Sequence, residues 1–346
     1  MMSIIQHSVR LADSLIARTY LSMFQERGGL LAFLFHSLFR DEREIALNQV
    51  DPLQRTTIAQ FREFIEYYLE KGYRFVGPEE ILGGLDRSGR HALITFDDGY
   101  ANNALALPIL EEYGVPATIF VSTDHVRKNK CFWWDVLYRE RLAEGASYRR
   151  IYAEGQSLKG LTTETIETRL KQRFGADAFQ PRGEIDRPFT PAELRAIARS
   201  PYIHIGNHTV NHAILTNYSH EQARAQIENA QSALAEMTGS RPTAIAYPNG
   251  DHASDVMRTC LDLGLKVGFT VRPFKNVNPV AAPSLELLRL GRFCLHDELP
   301  IETQCRTCRS DILLYGILRG CYLLVRHSKA WELAVDESAA ACDQML

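Results

Sequence analysis

Short continuous runs of apolar residues alternate in this chain with longer stretches whose apolar positions recur every three or four residues. Leu30-Leu31-Ala32-Phe33-Leu34-Phe35-His36 is the first such run, and it predicts a buried strand over 30–36. Phe61, Phe64, Ile65, Tyr68 and Leu69 keep helical spacing, predicting a helix over about 56–71 with Gly72 as its stop. A short helix near 78–85 precedes a strand over 91–96, which runs into Asp97-Asp98-Gly99. A helix over 102–112 then ends at Gly114, and 116–121 reads as the next strand. From about 125 to 188 the alternation is lost, and this charged stretch reads as an insertion with some helix. Order returns with capping boxes at Thr190-Pro191-Ala192-Glu193 and Ser219-His220-Glu221-Gln222, the second opening a helix to Thr238 and Gly239. Strands are expected at 202–206, 243–247, 266–270 and 287–293, with a helix at 254–263.

Strands and helices in alternation imply an α/β fold with a mostly parallel sheet. With no repeat or Pro/Gly/Ser linker, one catalytic domain over 28–300 is expected, with helical extensions at 1–27 and 301–346. A length of 346 residues suits a barrel of about 250 residues plus such extensions. A hydrophobic fraction of 45% against 23% charged residues excludes disorder over the whole length, and a net charge of −3 gives no electrostatic case for nucleic acid. Of the seven cysteines, only Cys305 and Cys308 are close, and no second pair completes a zinc ribbon; free thiols in a reducing compartment are expected. The first ten residues lack the basic start and apolar core of a secretory signal, which predicts a cytoplasmic location. The apolar stretch 312–325, broken by Arg319 and flanked by basic residues, predicts a docked helix or one lying at the inner membrane face.

Candidate chemistry sits at the ends of predicted strands, where α/β folds place ligands. Asp97 and Asp98 are adjacent carboxylates that repel each other; a bound cation would let one ligate while the other stays free as a base. Asp-Gly also favours turns, so the pair alone does not decide. His208 and His212 are four apart, and a single helical turn would put both imidazoles on one face. Two histidines and one carboxylate leave coordination positions open for water and substrate, as a catalytic metal requires. Zinc or another first-row divalent ion in such a site polarises a carbonyl, and a free carboxylate can take a proton from water. Together these point to hydrolysis of an amide or ester.

Three motifs carry a family resemblance: Thr95-Phe96-Asp97-Asp98-Gly99-Tyr100, His208-Thr209-Val210-Asn211-His212 and Tyr247-Pro248-Asn249-Gly250. In order and spacing the chain resembles the polysaccharide deacetylases, the NodB-like group that includes chitin, peptidoglycan and nodulation-factor deacetylases. The likeness runs from Phe33 to Arg292, with support from Phe35-His36-Ser37, Gly114-Val115-Pro116 and Trp133-Trp134-Asp135. The resemblance implies a distorted, incomplete (β/α) barrel of the seven-stranded type. It also implies Asp97 as base, Asp98, His208 and His212 as metal ligands with zinc as the expected metal, and an N-acetylated sugar or glycan precursor as substrate. Tyr247, Pro248, Asn249 and Trp134 become candidate substrate contacts.

Two departures stand out. Many family members carry an arginine, which orients the base, at the position of Ala246; Arg289 or Arg292 could substitute. The family's late histidine, the proposed general acid, has no clear counterpart, leaving His296 and His36 as candidates. Trp133 and Trp134 could stack on a sugar or pack the insertion onto the barrel. An Fe(II) oxygenase with the same ligand set and a catalytically weak glycan-binding homologue are the rival readings; oxygen dependence would favour the first, and the missing arginine keeps the second open. A lipid-linked or nucleotide-linked sugar is the expected partner, with peripheral membrane contact through the helical ends.

Overall fold

A computed structural model describes residues 4–277, 284–296 and 299–312 of the chain. The expected strand at 30–36 is β1 (Gly29–Phe35), buried at every position as a parallel strand covered on both faces must be. Next come β2 (Arg74–Phe75), β3 (Arg90–Phe96), β4 (Ala117–Val121), β5 (Ile203–Asn207), β6 (Ala244–Ala246), β7 (Val267–Phe269) and β8 (Phe293–Cys294). All pair in parallel in the order β8-β1-β3-β4-β5-β6-β7, and the two-residue β2 occupies the edge of β3 ahead of β4. Seven parallel strands thus form a curled, incomplete (β/α) barrel. Between β7 and β8 the gap is bridged by single backbone bonds, Leu290 N–H to Gly268 O at 2.9 Å and Thr270 N–H to Leu290 O at 2.8 Å.

The helices fall where the periodicity puts them. Helix α1 (Ile4–Met23) precedes the barrel, and α2 (Ile58–Glu70) follows β1, opened by a capping box between Thr57 and Gln60. The buried face of α2 lays Phe61, Phe64 and Tyr68 on β1, with Phe35 edge-on to Phe61 at 5.4 Å and Phe33 edge-on to Phe64 at 4.8 Å. Each such ring removed from water contributes about 1.5–3 kcal/mol, so this layer anchors the strand that ends at His36. Helix α3 (Leu107–Tyr113) stops at the left-handed Gly114.

The insertion after β4 is helical: α4 (Thr123–Lys128), α5 (Trp133–Ala143), α6 (Tyr148–Leu158) and α7 (Thr163–Phe174). It has its own core of Trp133, Val136, Leu137, Ile151, Ile166, Leu170 and Phe179. Both expected capping boxes are present, at α8 (Pro191–Ile197) and α9 (His220–Thr238), and α10 (Ser254–Asp262) lies between β6 and β7. The last helix described, α11 (Ile301–Arg309), packs on α1 and α2, and Tyr68 Oη donates to Cys305 O at 3.0 Å. Cys305 and Cys308 are free thiols buried in that core. No helix among the described residues is long and apolar enough to cross a membrane. The stretch expected to dock or lie on a membrane falls beyond residue 312, outside the described residues.

Two local expectations are corrected. Residues 287–293 are not one strand: a 3-10 turn at Leu287–Arg289 buries Leu287 and Leu288, Leu290 makes an isolated parallel bridge to Phe269, and strand pairing begins at Phe293. Nor does the segment from His208 to His212 make a helical turn, because Thr209 (φ 65°) and His212 (φ 56°) are left-handed.

Candidate active site

Parallel strands bring all their C-terminal ends to one rim of the barrel, and the candidate residues meet there. Asp97 follows β3, its N–H bonded to Phe35 O at 2.8 Å; His208 follows β5, its N–H bonded to Val121 O at 3.2 Å. Of the six non-glycine residues with left-handed φ among those described, four lie here: Asp98 (75°), Thr209 (65°), His212 (56°) and Asn249 (60°). Such conformations cost about 1–3 kcal/mol each and persist where the surroundings over-determine them, so backbone strain is concentrated at this rim. Asn207 is one device that enforces it: its Oδ1 accepts from Thr209 N at 2.8 Å while its Nδ2 donates to Ile227 O at 3.0 Å.

The ligand atoms of Asp98, His208 and His212 lie within 4.8 Å of one another, and no other such group occurs among the described residues. Both imidazoles present Nε2 to Asp98 Oδ1, at 3.3 Å from His208 and 3.5 Å from His212. His208 Nδ1 lies 2.8 Å from Ala246 O, and since a carbonyl only accepts, Nδ1 carries the hydrogen. In the neutral ring, Nε2 therefore turns a lone pair toward Asp98. Both Asp98 carboxyl oxygens are buried with no hydrogen-bond donor among the described residues. A buried carboxylate without donors, faced by imidazole lone pairs, is costly; a divalent cation among the three groups removes that cost. The residues fit a metal. Burial, followed by the charge of His208, pushes the His212 pKa well down and favours the neutral form that ligates.

Asp97 is held differently. Arg292, itself fully buried, makes a two-bond fork to it: Nη1 to Oδ1 at 2.7 Å and Nη2 to Oδ2 at 2.8 Å. The guanidinium is fixed in turn by Thr270 O at 3.0 Å and Thr95 Oγ1 at 3.0 Å. Burial alone would raise the Asp97 pKa, but the charges of Arg292 and then His208 outweigh it and hold the carboxyl below its ordinary value. Of the two arginines expected to substitute at Ala246, Arg292 is therefore the one paired with Asp97, and Arg289 is exposed.

A cavity of about 880 Å³ opens over these groups. It is lined by His36, Asp97, Asp98, Trp134, His208, His212 and Asn249, and it extends past His296 to Asp13 on α1 and to Gln304 and Cys308 on α11. Tyr247 and Pro248, expected to touch substrate, do not line it. Tyr247 is wholly buried in a core with Cys260, because the strand end turns its ring inward. His296 lines the cavity, but burial drives its pKa down to about 3, so it holds no proton to deliver near neutrality. His36 lines the cavity from the end of β1, its backbone N–H bonded to Gln54 Oε1 at 2.9 Å. Sequence reading missed Asp51, whose pKa burial raises to about 6, and Lys159, whose Nζ meets Asn249 Oδ1 at 2.8 Å. No local pattern marks either residue.

A curled parallel sheet with an Asp-His-His cluster at its C-terminal rim defines the class: an incomplete (β/α) barrel carrying a candidate metal centre. Residues 84–268, just over half of the chain, match the polysaccharide deacetylase family, and the chain belongs to it. It is 20% identical over 219 residues to YxkH of Bacillus subtilis (strain 168), which carries the polysaccharide deacetylase name. That match covers 62% of this chain and 58% of YxkH. Among solved structures, the Streptococcus pyogenes deacetylase PplD shares the fold at a TM-score of 0.54 and 18% identity, over 82% of this chain and 99% of that one. IcaB from Ammonifex degensii does so at a TM-score of 0.53 and 16% identity, over 82% and 99% of the two chains.

Proposed function

We propose that this protein is a metal-dependent hydrolase that removes the acetyl group from an N-acetylated sugar. One observation carries the reading: a buried Asp98 without donors faces two imidazole Nε2 atoms, beside a second carboxylate held ionised by Arg292. Zinc or a similar divalent cation held by Asp98, His208 and His212 would supply the Lewis acidity that polarises an amide carbonyl. Asp97 takes a proton from the attacking water as its oxygen bonds to the acetyl carbon. Arg292 keeps that carboxylate aimed while the reaction proceeds. His36, on the β1 side of the cavity, gives a proton to the sugar nitrogen as the C–N bond breaks, releasing acetate and a free amine. Family membership favours this hydrolysis over the oxygenase reading, which needs a redox co-substrate.

The test is acetate release across nucleotide-linked, lipid-linked and polymeric N-acetyl sugars, with and without chelator. Release should occur without added oxygen and stop on chelation. Asp97→Asn should lower kcat by about 10²–10⁴ while metal content is unchanged, and His36→Gln should lower kcat by a smaller factor. Chelator-insensitive release, or an Asp97→Asn variant as fast as wild type, would reject the proposal.

A further inference from the structure

The two histidines of the candidate metal centre are held by different parts of the molecule. His208 is fixed by the barrel: Nδ1–H donates to Ala246 O at 2.8 Å, and its carbonyl accepts from Ser122 Oγ at 3.1 Å. His212 Nδ1 is buried and has no hydrogen-bond partner among the described residues, although a ligating imidazole is ordinarily oriented through its second nitrogen. Hydrogen bonding to its second nitrogen therefore does not fix the direction of the ring.

The His208 ring meets that of His212 edge-on at 4.9 Å and 73°, and what else packs on the His212 ring comes from the insertion. The Trp134 indole packs against the His212 imidazole with centroids 4.5 Å apart and planes at 62°. Behind it, Phe132 stacks on Trp134 at 4.9 Å and 18°, and His125 stacks on Phe132 at 4.1 Å and 19°. Trp134 Nε1–H donates to Tyr100 Oη at 3.0 Å, and Tyr100 Oη donates to the buried Asp135 at 2.6 Å. The indole is therefore clamped by ring stacking on one side and by a hydrogen bond from the Asp97-Asp98-Gly99-Tyr100 turn on another. The insertion also takes hold of the backbone: Thr163 Oγ1 donates to His212 O at 3.3 Å, and Asn211 Nδ2 donates to Glu164 Oε1 at 2.7 Å.

We infer that Trp134 is a positioning residue for His212, so that the helical insertion completes the metal centre instead of only covering it. The inference rests on the metal-centre reading above. It predicts that removing the flat ring lets the imidazole swing and weakens metal binding by the 10–100-fold typical of lost outer-sphere support.

Cobalt(II) binding to the purified full chain, measured by chelator competition and visible absorption, needs no substrate. Trp134→Leu, which fills space without a flat ring, should weaken cobalt binding about tenfold or more and alter the absorption bands. Trp134→Phe should restore most of both. Tyr100→Phe, which frees the indole N–H, should shift the bands in the same direction by less. A folded Trp134→Leu variant, checked by circular dichroism, with wild-type affinity and spectrum would overturn the inference. If that variant does not fold, an unchanged Tyr100→Phe spectrum overturns it. Asp98→Asn separates the two readings. Cobalt binding that survives it removes the metal centre, whereas binding lost in Asp98→Asn but untouched in Trp134→Leu removes only the role of Trp134.

Discussion

Arg292, just ahead of the last strand, pairs with Asp97 where position 246 offers only alanine, and the chemistry of the fork explains why no other residue would serve. A planar guanidinium meets both carboxylate oxygens at once, while an ammonium is a single point charge. Arg292→Lys should therefore keep the ion pair yet lower kcat by about tenfold or more, because Asp97 is no longer held in one plane. Arg292→Met leaves a buried carboxylate unpaired and should cost about 3–5 kcal/mol in denaturant unfolding. An Arg292→Lys enzyme with wild-type kcat would remove the orienting role. Asp51 offers a pH test. Burial raises its folded pKa to about 6, whereas an unfolded aspartate titrates near 3.9. Between those values the folded state binds more protons, so stability falls as pH rises from about 4 to about 6 and stays lower above. Its side chain is partly open to the cavity, so the penalty is about 1–3 kcal/mol. Asp51→Asn still accepts from Leu53 N–H and should be more stable than wild type at pH 8 but not at pH 4; an equal gain at both would refute the assignment. The contrast between these residues marks what the sequence could reveal. Asp97, Asp98, His208 and His212 sit in short motifs at strand ends, and each motif is local. Arg292 lies 195 positions from Asp97, and only the pairing of β8 with β1, the neighbour of β3, brings them together.

At the scale of elements, periodicity and end signals were readable wherever an element buries one face against the sheet. The capping residues Thr190 and Ser219 and the left-handed Gly114 and Gly239 stand at the boundaries they predict. Gly206 shows why β5 ends as it does: a Cβ there would lie 2.2 Å from the Phe120 ring, so glycine lets two strands approach just ahead of His208. Two kinds of element escaped. The segment 287–293 has a strand-like composition, but it crosses the gap between β7 and β8, touches β7 through an isolated bridge at Leu290, and joins the sheet as a strand at its end. The insertion shows no strand-helix alternation because its helices pack on one another. Its beginning and end are tied by the buried pair of Arg139 Nη1 and Asp186 Oδ2 at 2.6 Å. Tertiary partners, not local propensity, decide both cases.

For the whole molecule, the insertion bounds the approach to the rim, and on the proposed function that approach is the sugar's. It bonds to the loop after β1 through Tyr138 Oη to Asn48 Oδ1 at 2.8 Å and Asp51 N–H to Asp135 Oδ1 at 2.8 Å. It meets the turn after β3 at Tyr100, the loop after β5 through Asn217 Nδ2 to Lys159 O at 2.7 Å, and the loop after β6 through Lys159 Nζ to Asn249 at 2.8 Å. These contacts run continuously along the strand ends from β1 to β6, so the insertion walls most of the mouth. A polymer bound through an internal sugar needs a groove open at two ends, and among the described residues the insertion occupies the side of the mouth that runs from β1 to β6. The cavity volume of about 880 Å³ falls in the range of pockets that enclose most of a compact ligand. A chain-terminal sugar or a single sugar on a carrier fits this shape. On whichever N-acetyl sugar releases acetate, mass-spectrometric mapping across chain lengths should therefore find acetyl loss confined to the terminal unit. Rates per acetyl group should fall as chains lengthen, because the reactive end becomes a smaller share of the sites. Lys159→Ala, which cuts the bond to Asn249 at the β6 end of the wall, should let some loss spread inward. Acetyl loss spread evenly through long chains by the wild-type protein would mean that the wall yields, and that the insertion serves the metal centre without selecting the substrate.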